Sequence, residues 1–179
     1  MNRPLPYDWE EHDRKVHHDQ WLIKCPVEFQ KPIDLALVRP AYHTLMKWDG
    51  TFPGYCCVGD TSAGKTRACW RVLENIPGWF HYYGARDLID AQWDWHGDMW
   101  EKIFTGPACT IPLVFLDDVD KVALNSLTTE LLFTFFDLIY ERQIPCLSTT
   151  NRDRKWWLDK MGAAFTRRFM DDGLVELKF

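Results

Sequence analysis

The stretch Gly59-Asp60-Thr61-Ser62-Ala63-Gly64-Lys65-Thr66 constrains this chain more than any other. It fits the pattern G-x-x-x-x-G-K-[ST] at every fixed position, and its flanks fit the required context. The apolar run Tyr55–Val58 before it reads as a short buried strand, and Lys65 to Asn75 reads as a helix that Pro77-Gly78 ends. A strand, a Gly-rich loop and a helix in this order turn backbone N–H groups inward and make a concavity for an anion. The helix adds the positive end of its dipole. In that setting Lys65 places a point charge on the β- and γ-phosphates of a nucleotide, and the Thr66 hydroxyl is a ligand for Mg2+. Gly59, Asp60, Thr61, Ser62, Ala63, Gly64, Lys65 and Thr66 are therefore the expected phosphate contacts.

A phosphate-bound metal needs a carboxylate, and Leu113-Val114-Phe115-Leu116-Asp117-Asp118 supplies it. Four apolar residues of a buried strand end in two acids, at the strand edge where open parallel sheets collect ligands. Asp117 is expected to hold Mg2+, and Asp118 stands where a base polarises an attacking water. The fifty-one residues from Thr66 to Asp117 leave room for one intervening strand and helix. Farther on, Ile144-Pro145-Cys146-Leu147-Ser148-Thr149-Thr150-Asn151 is an apolar strand with an amide at its tip. Asn151 there is placed to hydrogen-bond the γ-phosphate or its water, or to N-cap the next helix. The run Thr166-Arg167-Arg168-Phe169 precedes the last apolar segment. An arginine held at a protomer edge can stabilise transfer charge in a neighbour's site.

The remaining pattern alternates. Strands are expected at Tyr55–Val58, Trp79–Tyr83, Leu113–Leu116, Pro145–Thr149 and Leu174–Phe179. Helices are expected from Pro40 to about Trp48, over Lys65–Asn75, Arg86–Phe104, Leu127–Arg142 and Asp153–Met161. Alternation of this kind implies an α/β fold with a five-stranded, mostly parallel sheet between helices. Residues 1–32 read as an N-terminal arm, extended or partly disordered, since Pro4 to Lys31 is polar and proline-punctuated. Residues 33–179 form the nucleotide-binding domain. A length of 179 residues suits one core of this size.

Composition narrows the setting. Apolar residues make up 46% and charged residues 26%, which argues against wholesale disorder. No run approaches the ~18 apolar residues of a membrane span, and Met1 to Glu10 lacks an apolar core after a basic start, so no secretory signal is expected. The six cysteines form no CxxC pair, and Cys56-Cys57 lies in an apolar run, so reduced thiols and a cytoplasmic setting are the expectation. A net charge of −5 excludes a generic nucleic-acid binder, because affinity for phosphate backbones is carried by Lys and Arg. Contact with single-stranded DNA therefore has to come from local patches. One is Arg152, Arg154, Lys155, Trp156, Trp157 and Lys160; another is the segment Ala85–Phe104 with Trp93, Trp95 and Trp100.

The succession GDTSAGKT, LVFLDD, STTN and TRRF resembles the Walker A, Walker B, sensor 1 and arginine-finger elements of the AAA+ ATPases, in that order. Within them it is most similar to the DnaC-type helicase loaders and the IstB-like transposition helpers, including phage members. Cys25-Pro26 with Phe29, Gly64-Lys65-Thr66-Arg67, and Asp117-Asp118-Val119-Asp120-Lys121 followed by a long helix and Arg142-Gln143-Ile144-Pro145 are similar to that branch. The resemblance covers residues 21–179. It implies an AAA+ core binding ATP and Mg2+, with Asp118, Asn151 and Arg168 as the catalytic set and hydrolysis that is slow and assembly-dependent. It implies a homo-oligomer joined through Arg168, a replicative helicase as partner, and weak binding of single-stranded DNA.

Three features depart from the pattern. Asp118 stands where most AAA+ proteins carry Glu, which draws the carboxylate back by about one methylene. The sequence reaches Phe179 without a helical lid and its sensor 2 arginine. The arm is too short to be a separate helicase-binding domain. A superfamily 3 viral helicase also shows Asp-Asp and a strand ending in Asn, but needs a basic hairpin where this chain has Leu127–Arg142. A small-molecule P-loop kinase leaves Thr150-Asn151 unexplained.

Overall fold

The structure is a computed structural model that describes residues 11–34, 39–76, 78, 80–84, 87 and 113–179. The apolar runs form five short strands: β1 (Gly54–Val58), β2 (Phe80–Gly84), β3 (Leu113–Asp117), β4 (Cys146–Thr150) and β5 (Leu174–Lys178). They form one sheet in the order β2-β3-β4-β1-β5, every neighbouring pair parallel. Parallel strands covered on both faces read as unbroken apolar runs rather than alternating ones. That is why β3 and β4 are buried at every position.

Successive strand residues point to opposite faces, so each run feeds two cores. Cys56, Val58, Val114, Leu116 and Cys146 pack under α5 (Ser126–Glu141) and α6 (Arg154–Met170). Cys57, Leu113, Phe115 and Leu147 pack under α4 (Lys65–Asn75), α3 (Pro40–Leu45) and α1 (Glu11–Lys24). Asn125 N-caps α5 through a reciprocal pair with Thr128. Trp70 anchors the second core, its ring against Phe80, Tyr82 and Phe115. Cys25, Cys56, Cys57, Cys69 and Cys146 are free and buried, and burial pushes the Cys25 thiol up to about 11.

Two expectations change. Most of the described arm is not extended: α1 lies against the domain, followed by a short helix α2 (Val27–Gln30). Its buried residues are His17, Trp21 and Cys25, spaced by four on one helical stripe. The Trp21 indole donates to the Trp70 carbonyl at 2.7 Å, and the His17 ring nitrogens meet the carbonyls of Leu73 and Gly78. Gln20 and Lys24 both donate to the Phe80 carbonyl. This helix thereby covers the start of β2, an edge strand of the sheet, and a covered edge resists pairing with other chains.

The second change is in α6. The helix expected over Asp153–Met161 is capped by the Asp153 side chain and continues beyond Met161, but Gly162 breaks it at φ 81°, ψ 173°. That backbone region is essentially reserved for glycine. An unbroken helix would hold Arg154 and Asp171 about 25 Å apart, yet their side chains form a two-bonded ion pair. The break folds the second half back. The helix from Pro40 is shorter than expected and ends at Leu45. Apart from Asp87, Arg86–Phe104 falls outside the described residues, as does Trp79.

Candidate nucleotide site

The sheet order decides which loops meet. Strands β3, β4 and β1 are consecutive neighbours and all parallel, so the residues after Asp117, Thr150 and Val58 emerge side by side at one edge. The loop Gly59–Gly64 then leads into α4, with Ser62 at φ 66° and Gly64 at φ 92°. Two left-handed residues so close together curl the loop, the kind of turn whose free N–H groups can hold an anion; the N–H groups of Gly59 and Ala63 are already used, donating to the carbonyls of Thr150 and Asp60. The space around Gly64 is open, so its need for glycine is conformational and not steric. Asp60, Thr61, Ser62 and Gly64 are exposed, Gly59, Ala63 and Thr66 half-buried.

Lys65 is only 5% exposed. Its ammonium donates to the carbonyls of Gly59 and Asp60, both at 2.8 Å, and to Asn151 Oδ1 at 3.0 Å. All three partners are neutral oxygens. Burial pulls the Lys65 ammonium below its ordinary value, against the upward pull of Asp118 and Asp120. A buried cation with neutral partners is electrostatically unfinished, and an anion in the loop completes it.

Thr66, the next residue, donates its hydroxyl to Asp117 Oδ1 at 2.9 Å. Thr149 donates to the same oxygen at 2.5 Å, and its hydroxyl accepts the Asp118 N–H. Burial raises the Asp117 carboxyl above its ordinary value, opposed by the hydrogen bonds from Thr149 and Thr66. A hydroxyl and a carboxylate side by side are hard oxygen donors, the set that suits Mg2+. Residues that hold such an ion would thus be Thr66 and Asp117.

The structure brings Asn151 to Lys65 as well. Asn151 does not cap α6, a role taken by Asp153. Its amide lies between Lys65 and Asp120, a residue that sequence reading left without a role. Asp118 adopts φ 57° and turns its carboxylate to Lys121, forming an ion pair at 2.5 Å. Arg168 is held elsewhere: it pairs with Asp137 on α5 and packs over the rings of Phe133 and Tyr140. Eleven residues of α5, about 16 Å of rise, lie between its start and Asp137. Arg167, the more exposed neighbour, pairs with Asp172. Thr149 and Asp120 are the site residues that sequence reading missed. Both lie two positions or fewer from residues it had chosen.

No family model matches the sequence, and no curated protein matches it. Solved structures do match in shape. A DnaC helicase loader superposes with TM-score 0.60 at 17% identity, over 83% of this chain and 93% of the other. A DnaI structure gives 0.61 at 13% identity, over 86% and 90%. DnaA from Aquifex aeolicus bound to AMPPCP gives 0.57 at 19% identity, over 76% of this chain. The fold is that of the AAA+ helicase loaders and initiators. This chain spans 93% of the DnaC structure and 90% of the DnaI one but only 44% of the DnaA one. Its sheet is entirely parallel, where the sequence pattern implied a mostly parallel one. Among the described residues no helix is long and apolar enough to cross a membrane.

Proposed function

We propose that this protein binds ATP with Mg2+, hydrolyses it slowly in an assembly, and loads a replicative helicase during DNA replication. The observation that carries the nucleotide reading is Lys65, a buried ammonium whose hydrogen bonds all go to neutral oxygens beside an open glycine loop. The β- and γ-phosphates take over those hydrogen bonds, and the loop N–H groups other than those of Gly59 and Ala63, which donate to Thr150 and Asp60, are left for them. Thr66 and Asp117 would hold Mg2+, which would supply neutralisation of the phosphate charge. Asn151 stays at the γ end to orient the phosphate or the attacking water.

Asp118 accepts the proton of that water once it leaves Lys121. The ion pair and the short side chain both favour slow turnover. Arg168 is the residue that would complete a neighbour's site, with Arg167 as a flanking contact. The loader reading rests on the likeness in fold to DnaC and DnaI structures. A pulldown with the cognate replicative helicase tests that partner; capture of a transposase instead would favour the IstB-like reading. Of the proposed DNA patch, Arg152, Lys155 and Lys160 are exposed, and Arg152 stacks on Trp156. Trp157 is fully buried against Phe165 and Phe169 and does not belong to that surface. Apart from Asp87, Ala85–Phe104, with its tryptophans, lies outside the described residues.

The test of the site is calorimetry. Lys65→Ala removes the one buried cation of the loop and should abolish ATP binding. Unaltered ATP affinity would remove the basis of the assignment.

A further inference from the structure

We propose that Asp120 is a positioning residue for hydrolysis, fixing Asn151 at the tip of β4 in a single amide orientation. Asp120 sits in the turn Val119–Lys121 just beyond β3, thirty-one residues before Asn151. Its Oδ1 accepts the Asn151 backbone N–H at 2.7 Å. Its carboxylate also receives the Asn151 side-chain amide, Nδ2 standing 3.1 Å from Oδ2 and 3.3 Å from Oδ1. On the other side of the same amide, Oδ1 accepts from Lys65.

A carboxylate can only accept and an ammonium can only donate, so the amide has no second orientation that satisfies both. Nδ2 carries two hydrogens. Asp120 engages one and leaves the other for an acceptor, the chemistry of a phosphate oxygen or of a water beside it. When phosphate draws Lys65 away, Asp120 is the tie that keeps Asn151 in place. Asp118 does not share this task, because its side chain faces Lys121. The consequence for turnover rests on the ATPase reading above; the orientation of Asn151 does not.

The full chain is compared as wild type, Asp120→Ala, Asp120→Asn, Asn151→Ala and the double alanine variant. ATP affinity by calorimetry should stay within about twofold in Asp120→Ala, with turnover about 10- to 100-fold lower, the scale of a displaced catalytic group. KM should change little. Asp120→Asn should recover part of the loss, since its amide oxygen still accepts the Asn151 N–H. The double variant should be no slower than Asn151→Ala alone. Independently, the side-chain amide signals of Asn151 in 15N NMR spectra without nucleotide should move in Asp120→Ala and stay in place in Lys121→Ala. Unmoved amide signals in Asp120→Ala, or losses that multiply in the double variant, would overturn the proposal. A wild type that hydrolyses no faster than Lys65→Ala would defeat the ATPase reading alone, and the NMR comparison would still decide the role of Asp120.

Discussion

Asp117 carries a conflict between stability and ligand binding that single substitutions can separate. Desolvation raises its carboxyl above the ordinary value, so the folded state holds its proton more tightly than the unfolded state does. Stability from this group is then fully present below the unfolded value and lost as pH rises through the folded one. Asp117→Asn keeps an oxygen for Thr66 and Thr149, which both donate to Oδ1, and removes the buried charge. The variant should melt higher, at about 2–4 °C per kcal/mol for a chain of this length, while Mg2+-dependent ATP binding weakens. A melting temperature equal to or below that of wild type would contradict this account of the burial cost. The loop residues, Asp117 and Asn151 were legible in the sequence because each sits where an apolar run stops, and a run marks the end of a buried strand. Asp120 and Thr149 were not. Their importance comes from which strands lie side by side, a fact of the order β3-β4-β1 that no local spacing carries.

At the scale of elements, what was legible follows from contrast. Helix α4 runs from Lys65 to Asn75 as its sequence pattern implies, since a glycine loop opens it and a proline follows. The five strands fall within a residue or so of their apolar runs. Helix α1 escaped because, among the residues whose burial is described, its buried stripe is His17 and Trp21, continued by Cys25 just past its end, and a polar surface hid their spacing of four. Gly162 escaped too, since a lone glycine in a helical pattern is ordinarily tolerated. Here it is a corner. A Cβ at this position meets no atom within 4 Å, so Gly162→Ala tests backbone strain alone. The unfolding free energy in urea should fall by about 1–3 kcal/mol. The same stability as wild type would mean that the two halves of α6 fold back without needing that conformation.

For the whole molecule, the role proposed for Arg168 would make hydrolysis a property of pairs. Its guanidinium is engaged with Asp137, Phe133 and Tyr140, none of which belongs to the phosphate loop. Arg168→Ala should bind ATP normally as a monomer yet lose about 10³-fold or more in turnover, the worth of an arginine supplied across an interface. Mixing it with Lys65→Ala should restore part of the activity, since one protomer brings the loop and the other the arginine. Loss of ATP binding by monomeric Arg168→Ala would place the arginine in its own site instead. Helix α4 links this site to the arm. Its first two residues, Lys65 and Thr66, bond Asn151 and Asp117 at the loop end, while Trp70 and Leu73 farther along receive Trp21 and His17 from α1. Eleven residues make a rod about 16 Å long. A tilt of about 5° at the loop end swings the far end by about 1.4 Å, enough to strain a hydrogen bond. The arm therefore sits at the end of α4 where a small rotation at the loop would be magnified most.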